Sequence, residues 1–227
     1  MHLFSTATKR NIFLKLILKI ILILVLIQLF RALVLGILWF AFGSSKKVTL
    51  FQFFNGLSFI IVGIILVLWC KPSSKDMGLN WGDLRLRIRI IYLAGIVFLI
   101  FMALTPYTLS WELNLLILGV VFGLVIPAFE ELLFRGYIWG KIENSLEMAE
   151  RSVLTWIIVT LLFSIWHLGY LDVFIIHPLG GGNLIMLLAS KLAIGLVLGL
   201  LVGYTRLKTR KTYASFLLHG LWNVFGP

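Results

Sequence analysis

Two adjacent carboxylates, Glu130 and Glu131, and the nearby Arg135 lie inside one long apolar segment of the sequence. Within a membrane helix, each charged residue costs about 2.5–3.5 kcal/mol by insertion scales, so such residues are candidates for function. Glu131 and Arg135 are four residues apart and can pair on one helix face, whereas Glu130 is rotated by about 100° from Glu131. The spacing therefore predicts one neutralised carboxylate and one that is free to face another neighbour. The alternative is an interfacial helix end, where these charges meet lipid headgroups.

Two later apolar segments repeat the four-residue spacing. Phe163 and His167 share one helix face, and His219 and Asn223 share another. A single membrane histidine is more often a hydrogen-bonded packing residue than a functional one. A histidine and an asparagine on one face are two neutral donors, which is typical of a pair that stabilises a developing anion.

The depth of these residues tests whether they can meet. Depth is taken here as the distance along the helix, at 1.5 Å per residue, from the basic residue that ends each apolar segment. The depths are about 16 Å for Glu130, 24 Å for His167, 13 Å for His219 and 20 Å for Asn223. With ordinary helix tilts, these groups can meet inside a bilayer.

The composition indicates that a bilayer surrounds the elements that carry these residues. The chain has 227 residues, of which 61% are hydrophobic, and its mean hydropathy is +1.06, whereas soluble domains are about 45–50% apolar. The net charge is +11, but the basic residues lie in short connections, which favours a membrane-topology signal over nucleic-acid binding. Cys70 is the sole cysteine, which excludes an intrachain disulfide and a thiolate metal cluster.

The apolar runs predict an all-α, polytopic transmembrane helical bundle of about seven spans, because they are too long and too continuous for barrel strands. The predicted spans are residues 20–42, 48–70, 90–106, 113–142, 153–170, 184–205 and 212–226. An eighth helix or a re-entrant segment could lie within residues 171–183. The polar stretch at 71–89 divides the chain into an N-terminal part, 1–89, and a core, 90–227.

Basic residues mark every second connection, namely the N-terminus, 71–89, 141–151 and 206–211. The opposite connections hold only Lys46 and Lys47. The positive-inside rule therefore predicts a cytoplasmic N-terminus and an external C-terminus. Lys15, Lys19 and Arg31 interrupt the first apolar region and no small-residue cleavage site follows it, so we expect a retained first helix and an integral protein of the cell membrane. Asp172 and His177 are predicted to be exposed in an external connection.

The sixth span has glycines at every fourth position, which permits close helix approach. Lys191 falls on the same stripe and could extend its amine to the interface or pair with a carboxylate. These glycines are Gly195, Gly199 and Gly203.

Together, the three motifs resemble the CAAX protease and bacteriocin-processing (CPBP, or Abi) family of intramembrane glutamate-dependent peptidases. They read Glu-Glu-Leu-Leu-Phe-Arg at 130–135, Phe-Ser-Ile-Trp-His at 163–167 and His-Gly-Leu-Trp-Asn at 219–223. The resemblance extends over about residues 113–225. It implies an endopeptidase in which Glu130, assisted by His167, activates a water while His219 and Asn223 stabilise the oxyanion. Glu131, Arg135 and Phe163 would support this site.

The resemblance also implies metal-free chemistry without a cofactor. Two histidines and a glutamate could instead form the three-ligand set of a catalytic zinc site, but the sequence has no His-Glu-x-x-His motif. The expected partners are membrane lipid and a membrane-associated peptide or protein substrate.

Two other functions are compatible with the same residues. A catalytically silent membrane adaptor, or a bacteriocin self-immunity protein, could keep the motifs as a structural polar network. A transporter could use buried carboxylates as proton relays, although the sequence lacks the repeated halves that are typical of such proteins.

Overall fold

A computed structural model describes residues 6–43, 48–146, 151–177 and 183–225. These residues form seven helical elements and no strand. The elements are α1 (Ala7–Phe42), α2 (Val48–Cys70), α3 (Leu86–Ser110), α4 (Leu113–Ser145), α5 (Arg151–Ile176), α6 (Leu184–Thr209) and α7 (Thr212–Phe225). The first six are long and apolar enough to cross a membrane. The protein is thus an all-α, polytopic membrane bundle of about seven spans, as predicted.

The helix bounds agree with the predicted spans except at the first helix, which begins at Ala7 and not near residue 20. The Thr6 hydroxyl caps α1 by accepting a hydrogen bond from the Lys9 amide at 3.2 Å. The basic first turns continue the helix because Phe13 and Ile20 are buried in the core. The sequence did not predict this start because the basic residues of the first turns lower the hydropathy of the segment. Lys15 and Lys19 lie on other faces of the helix than Phe13 and Ile20.

The region of the predicted eighth helix continues α5. A 3-10 turn at His167–Tyr170 leads into a six-residue helix, Leu171–Ile176, and residues 178–182 lie outside the described part of the chain. The prediction that Asp172 is exposed is wrong, because its side chain is 11% exposed and pairs with Arg31. His177 is partly buried, with its ring 4.8 Å from that of Phe51.

The glycine stripe of α6 packs against α5 as the spacing predicted. A Cβ atom at Gly199 would lie 3.1 Å from Thr160 Cγ2, and one at Gly203 would lie 2.5 Å from the Trp156 ring. These approaches bring the backbone of α6 against the face of α5 that carries His167.

The connection between α2 and α3 folds over one end of the bundle. Gly78 adopts a positive φ of 66°, and a Cβ there would lie 2.6 Å from the Arg206 guanidinium. Lys211 donates to the Asn80 carbonyl at 2.8 Å, and Arg210 pairs with Glu143 at 2.7 Å. Three of the basic connections therefore lie at the same end, as the alternation of charge requires. Lys46 and Lys47 lie outside the described residues, and the cytoplasmic side of the N-terminus stays a prediction.

One large core joins the N-terminal helices to the rest of the bundle. Buried residues of α1, α2, α4, α5 and α6 all belong to it, including Leu24, Phe59, Phe134, Phe163 and Leu198. The division between residues 1–89 and 90–227 remains a prediction from composition.

Candidate active site

Helix α4 carries Glu130 and Glu131 into the middle of the bundle, where their exposed fractions are 1% and 0%. Two π-helical stretches, Val121–Val125 and Leu132–Ile138, lie on either side of this pair. π-helical turns are rare in proteins, and those that occur are often at functional sites. They change the direction of side chains and the hydrogen bonding of backbone carbonyls. Here both stretches supply carbonyls to neighbouring helices.

The first π-helical stretch has a cause in the sequence. Pro127 has no N–H and cannot donate to a carbonyl of the preceding turn. The Phe122 carbonyl, five residues earlier, instead accepts a hydrogen bond from Asn223 Nδ2 at 2.9 Å. This bond fixes α7 against α4. In the second stretch, the Arg135 carbonyl accepts from Arg206 Nε at 2.9 Å.

Glu131 is held between a cation and an imidazole. Its Oε1 accepts from Arg135 Nη1 at 3.1 Å and from His219 Nδ1 at 2.8 Å. Arg135 also donates to the Gly199 carbonyl at 3.2 Å, and its guanidinium lies 4.0 Å from the centre of the Phe163 ring. The predicted pairing of Glu131 with Arg135 is confirmed, and it lies in the core and not at a helix end.

Glu130 faces a different set of neighbours, as the 100° rotation predicted. Its Oε1 accepts hydrogen bonds from Trp166 Nε1 at 2.8 Å and from the Tyr170 hydroxyl at 2.7 Å. Its Oε2 lies 3.8 Å from His219 Nε2. The two donors hold one carboxylate oxygen, so the second oxygen is directed to the space beside His219.

The geometry around His167 decides its tautomer. Its Nδ1 lies 2.8 Å from the Phe163 carbonyl, and a carbonyl can only accept, so Nδ1 carries the proton. In the neutral ring, Nε2 then has a lone pair that can accept a proton. The His167 ring lies 4.6 Å from the Phe163 ring and 5.6 Å from the Tyr170 ring.

A cavity of about 280 Å³ adjoins this cluster. It lies between α2, α4, α5 and α6, and its polar lining residues are Gln52, Asn55, His167, Tyr170, His177 and Lys191. A larger cavity of about 450 Å³ lies between α1, α2 and α4 and is almost wholly apolar. The smaller cavity is therefore the one lined by polar groups of the cluster, namely His167 and Tyr170.

The structure brings together six of the seven residues that the motifs single out: Glu130, Glu131, Arg135, Phe163, His167 and His219. Asn223 contacts the backbone of α4 through Phe122 and has no hydrogen bond to the other six among the described residues. Sequence reasoning missed Tyr170 as a donor to Glu130, although it lies seven residues after Phe163, on the same helix face. It also missed the buried Arg31.

No group of three His, Cys, Asp or Glu side chains within the described ranges is arranged to hold a metal ion. The two histidines have different hydrogen-bond partners. His167 donates to a backbone carbonyl, and His219 donates to Glu131.

Comparison with known proteins gives one family and one relative. Residues 111–225 match the sequence model of the family described as type II CAAX prenyl endopeptidase, Rce1-like. UPF0177 protein YxdF of Lactococcus lactis subsp. lactis (strain IL1403) is 27% identical over 136 residues, which cover 50% of this chain and 70% of the relative. No solved structure matches the chain. The matched segment contains the whole carboxylate and histidine cluster, whereas α1, α2 and α3 lie outside it.

Proposed function

The chain belongs to the Rce1-like family of type II CAAX prenyl endopeptidases, and we propose that it hydrolyses a peptide bond of a membrane-associated peptide or protein inside the bilayer. The observation that carries this proposal is the environment of the Glu130 side chain. Glu130 is a buried carboxylate with one oxygen held by Trp166 and Tyr170 and the other directed towards His219.

The proposed reaction begins with a water between Glu130 and His167. Glu130 Oε2 takes a proton from the water while the oxygen attacks the scissile carbonyl, and the Nε2 lone pair of His167 orients the water. Glu130 then passes the proton to the leaving amine, so that the products are a carboxylic acid and an amine. The protein enters and leaves this cycle with the same protons.

His219 and Asn223 are proposed to stabilise the oxyanion. Donation from His219 Nε2 requires that the ring carry both protons, because Nδ1 already donates to Glu131. Asn223 Nδ2 is bound to the Phe122 carbonyl and would exchange this bond for one to the oxyanion. Such donors contribute about 3–4 kcal/mol each in hydrolases.

The test of the function is a comparison of membrane-associated peptides in cells that produce the wild type or Glu130→Gln, by mass spectrometry. A cut that occurs only with the wild type is expected, and purified protein in liposomes should reproduce it with the same peptide, also in the presence of a chelator. If Glu130→Gln retains partner binding or protection and neither protein cuts any peptide, the chain is an adaptor or an immunity protein.

Gly195 offers a prediction about His167. A Cβ at position 195 would lie 2.9 Å from His167 Nδ1, so Gly195→Ala must displace the ring. A displacement of about 1 Å at a catalytic group costs about 10²-fold in rate. We expect kcat for peptide cleavage to fall by about 10–100-fold. Gly203→Ala is the matched control, because it meets Trp156 on the same stripe and should lower thermal stability without that loss of kcat. Equal rates for both variants would contradict the role of His167.

Lys191 offers a prediction about the substrate. It lines the smaller cavity, its Nζ lies 5.8 Å from the centre of the Tyr170 ring, and no carboxylate pairs with it in the described part of the chain. We propose that it binds an anionic group of the substrate near the scissile bond. Charge-assisted hydrogen bonds contribute about 1.5–3 kcal/mol, or about 10–100-fold. A peptide with a C-terminal carboxylate should therefore have a lower KM than its amide with the wild type. Lys191→Met should remove the difference, and a preference that survives would exclude this role.

The basic connections support an orientation for the proposed enzyme. Residues 76–80, 143–144 and 206–211 meet at one end of the bundle, and the positive-inside rule places such an end in the cytoplasm. We therefore propose a protein of the cell membrane with a cytoplasmic N-terminus.

A further inference from the structure

Helix α1, which lies outside the family match, contacts the turn of α5 that carries His167 and Tyr170. Arg31 is the contact residue, and its side chain is wholly buried. Its Nη2 pairs with Asp172 Oδ1 at 2.5 Å, and its Nη1 donates to Asn55 Oδ1 at 3.2 Å. The guanidinium also lies 5.5 Å from the centre of the Tyr170 ring. Arg31 thus binds the chain two residues beyond the tyrosine that donates to Glu130.

A second contact lies one turn earlier on α1. Gln28 lies so close to Gly169 that a Cβ at position 169 would be 2.4 Å from three of its side-chain atoms. Gln28 also accepts a hydrogen bond from Arg31 Nε at 3.4 Å. Gly169 and Asp172 flank Tyr170, so α1 touches the chain on both sides of this residue.

The turn needs such support because it departs from the regular helix. Residues His167–Tyr170 form a 3-10 turn in the middle of α5, and short 3-10 stretches inside helices often mark strain or a hinge. Within the turn, His167 is bound by its bond to the Phe163 carbonyl and Tyr170 by its bond to Glu130. Arg31 supplies the restraint at the far end.

From these contacts, and resting on the proposed function, we propose that Arg31 is a positioning residue for catalysis. It holds the turn at 167–172 against α1 so that Tyr170 keeps its hydrogen bond to Glu130 and His167 keeps its place beside Tyr170. Arg31 itself contacts neither Glu130 nor His167. On this proposal, the N-terminal helices complete a site whose reacting groups all lie in the family-like core.

The choice of a charged pair for this contact supports a role in orientation. A buried ion pair is often no more stabilising than apolar residues of similar size. Arginine, however, has a planar fork of donors that holds two acceptors in one geometry. Here the fork joins α1 to both α2 and α5, through Asn55 and Asp172.

The experiment compares peptide cleavage by the full-length wild type, Arg31→Lys and the double variant Arg31→Met/Asp172→Leu. The double variant removes both charges, so that neither is left buried alone. We expect its kcat to fall by about 10²-fold, as for a displacement of about 1 Å, with KM changed by less than about threefold. Arg31→Lys keeps the charge but lacks the fork, and it should recover part of kcat.

A matched control separates positioning from stability. Ile20 is a buried core residue of the same helix, about 16 Å along the helix from Arg31 at 1.5 Å per residue. Ile20→Ala should lower the unfolding temperature while the folded fraction keeps the kcat of the wild type.

Amide hydrogen exchange at residues 167–172 gives a readout that needs no activity. Exchange there should become faster in the double variant than in the wild type or Ile20→Ala. If the wild type cleaves no peptide, the proposed function fails, and this exchange alone decides whether Arg31 holds the turn. The inference is overturned if exchange at 167–172 is unchanged, or if an active wild type and the double variant have the same kcat.

Discussion

Replacing Glu130 by glutamine is expected to lower kcat for peptide cleavage by about 10²–10⁴-fold, which is the usual contribution of a general base. Glutamine has nearly the same size as glutamate, and its Oε1 can still accept from Trp166 and Tyr170, so the bundle should fold as before. What it loses is the ability to take a proton from water. The expected result is therefore an inserted, stable protein that binds substrate and does not cut it.

The measurement is single-turnover cleavage in liposomes, together with thermal unfolding of the same preparations. Glu112→Gln is the matched control, since Glu112 is an exposed carboxylate just before the same helix. It should cleave at the rate of the wild type. A Glu130→Gln variant with more than about a tenth of the wild-type rate would show that the base is a different group.

Replacing Arg135 by methionine should have the largest effect on stability. Arg135 is wholly buried, pairs with Glu131 and donates to the Gly199 carbonyl. Removal of one partner of a buried ion pair costs about 3–5 kcal/mol, because the other charge is left unpaired. Glu131 would keep only His219, and the contact between α4 and α6 through Gly199 would be lost.

The double variant Glu131→Gln/Arg135→Met tests this explanation. It leaves no unpaired charge at the pair, so its free energy of unfolding in mixed detergent micelles should lie above that of Arg135→Met alone. If the double variant is less stable than the single one, Arg135 contributes through packing on Phe163 and not through its charge.

The sequence predicted correctly what depends on one helix at a time. A period of 3.6 residues decides which side chains share a face. For this reason, the pairing of Glu131 with Arg135 and the different direction of Glu130 follow from spacing alone. The glycine stripe of α6 is a property of the same kind. The start of α1 was misplaced because its basic residues mask a buried face.

The contacts between helices required the tertiary structure. Tyr170 donates to Glu130 across 40 residues, and Arg31 reaches Asp172 across 141 residues. Helical periodicity cannot predict contacts between residues so far apart in the sequence. The exposure predicted for Asp172 was wrong for the same reason, since its ion-pair partner Arg31 lies on α1.

A membrane bundle of about seven helices, and the faces on which its polar residues lie, follow from the amino-acid sequence, because hydropathy and helical period are local properties. Which of these faces meet depends on the packing of the helices. That outcome depends on the π-helical stretches of α4, on the 3-10 turn of α5 and on close approaches such as that of Gln28 to Gly169. The π-helical and 3-10 stretches shift the side chains that follow them by a fraction of a turn. Such shifts arise from the packing of distant segments, so one chain read residue by residue cannot specify them.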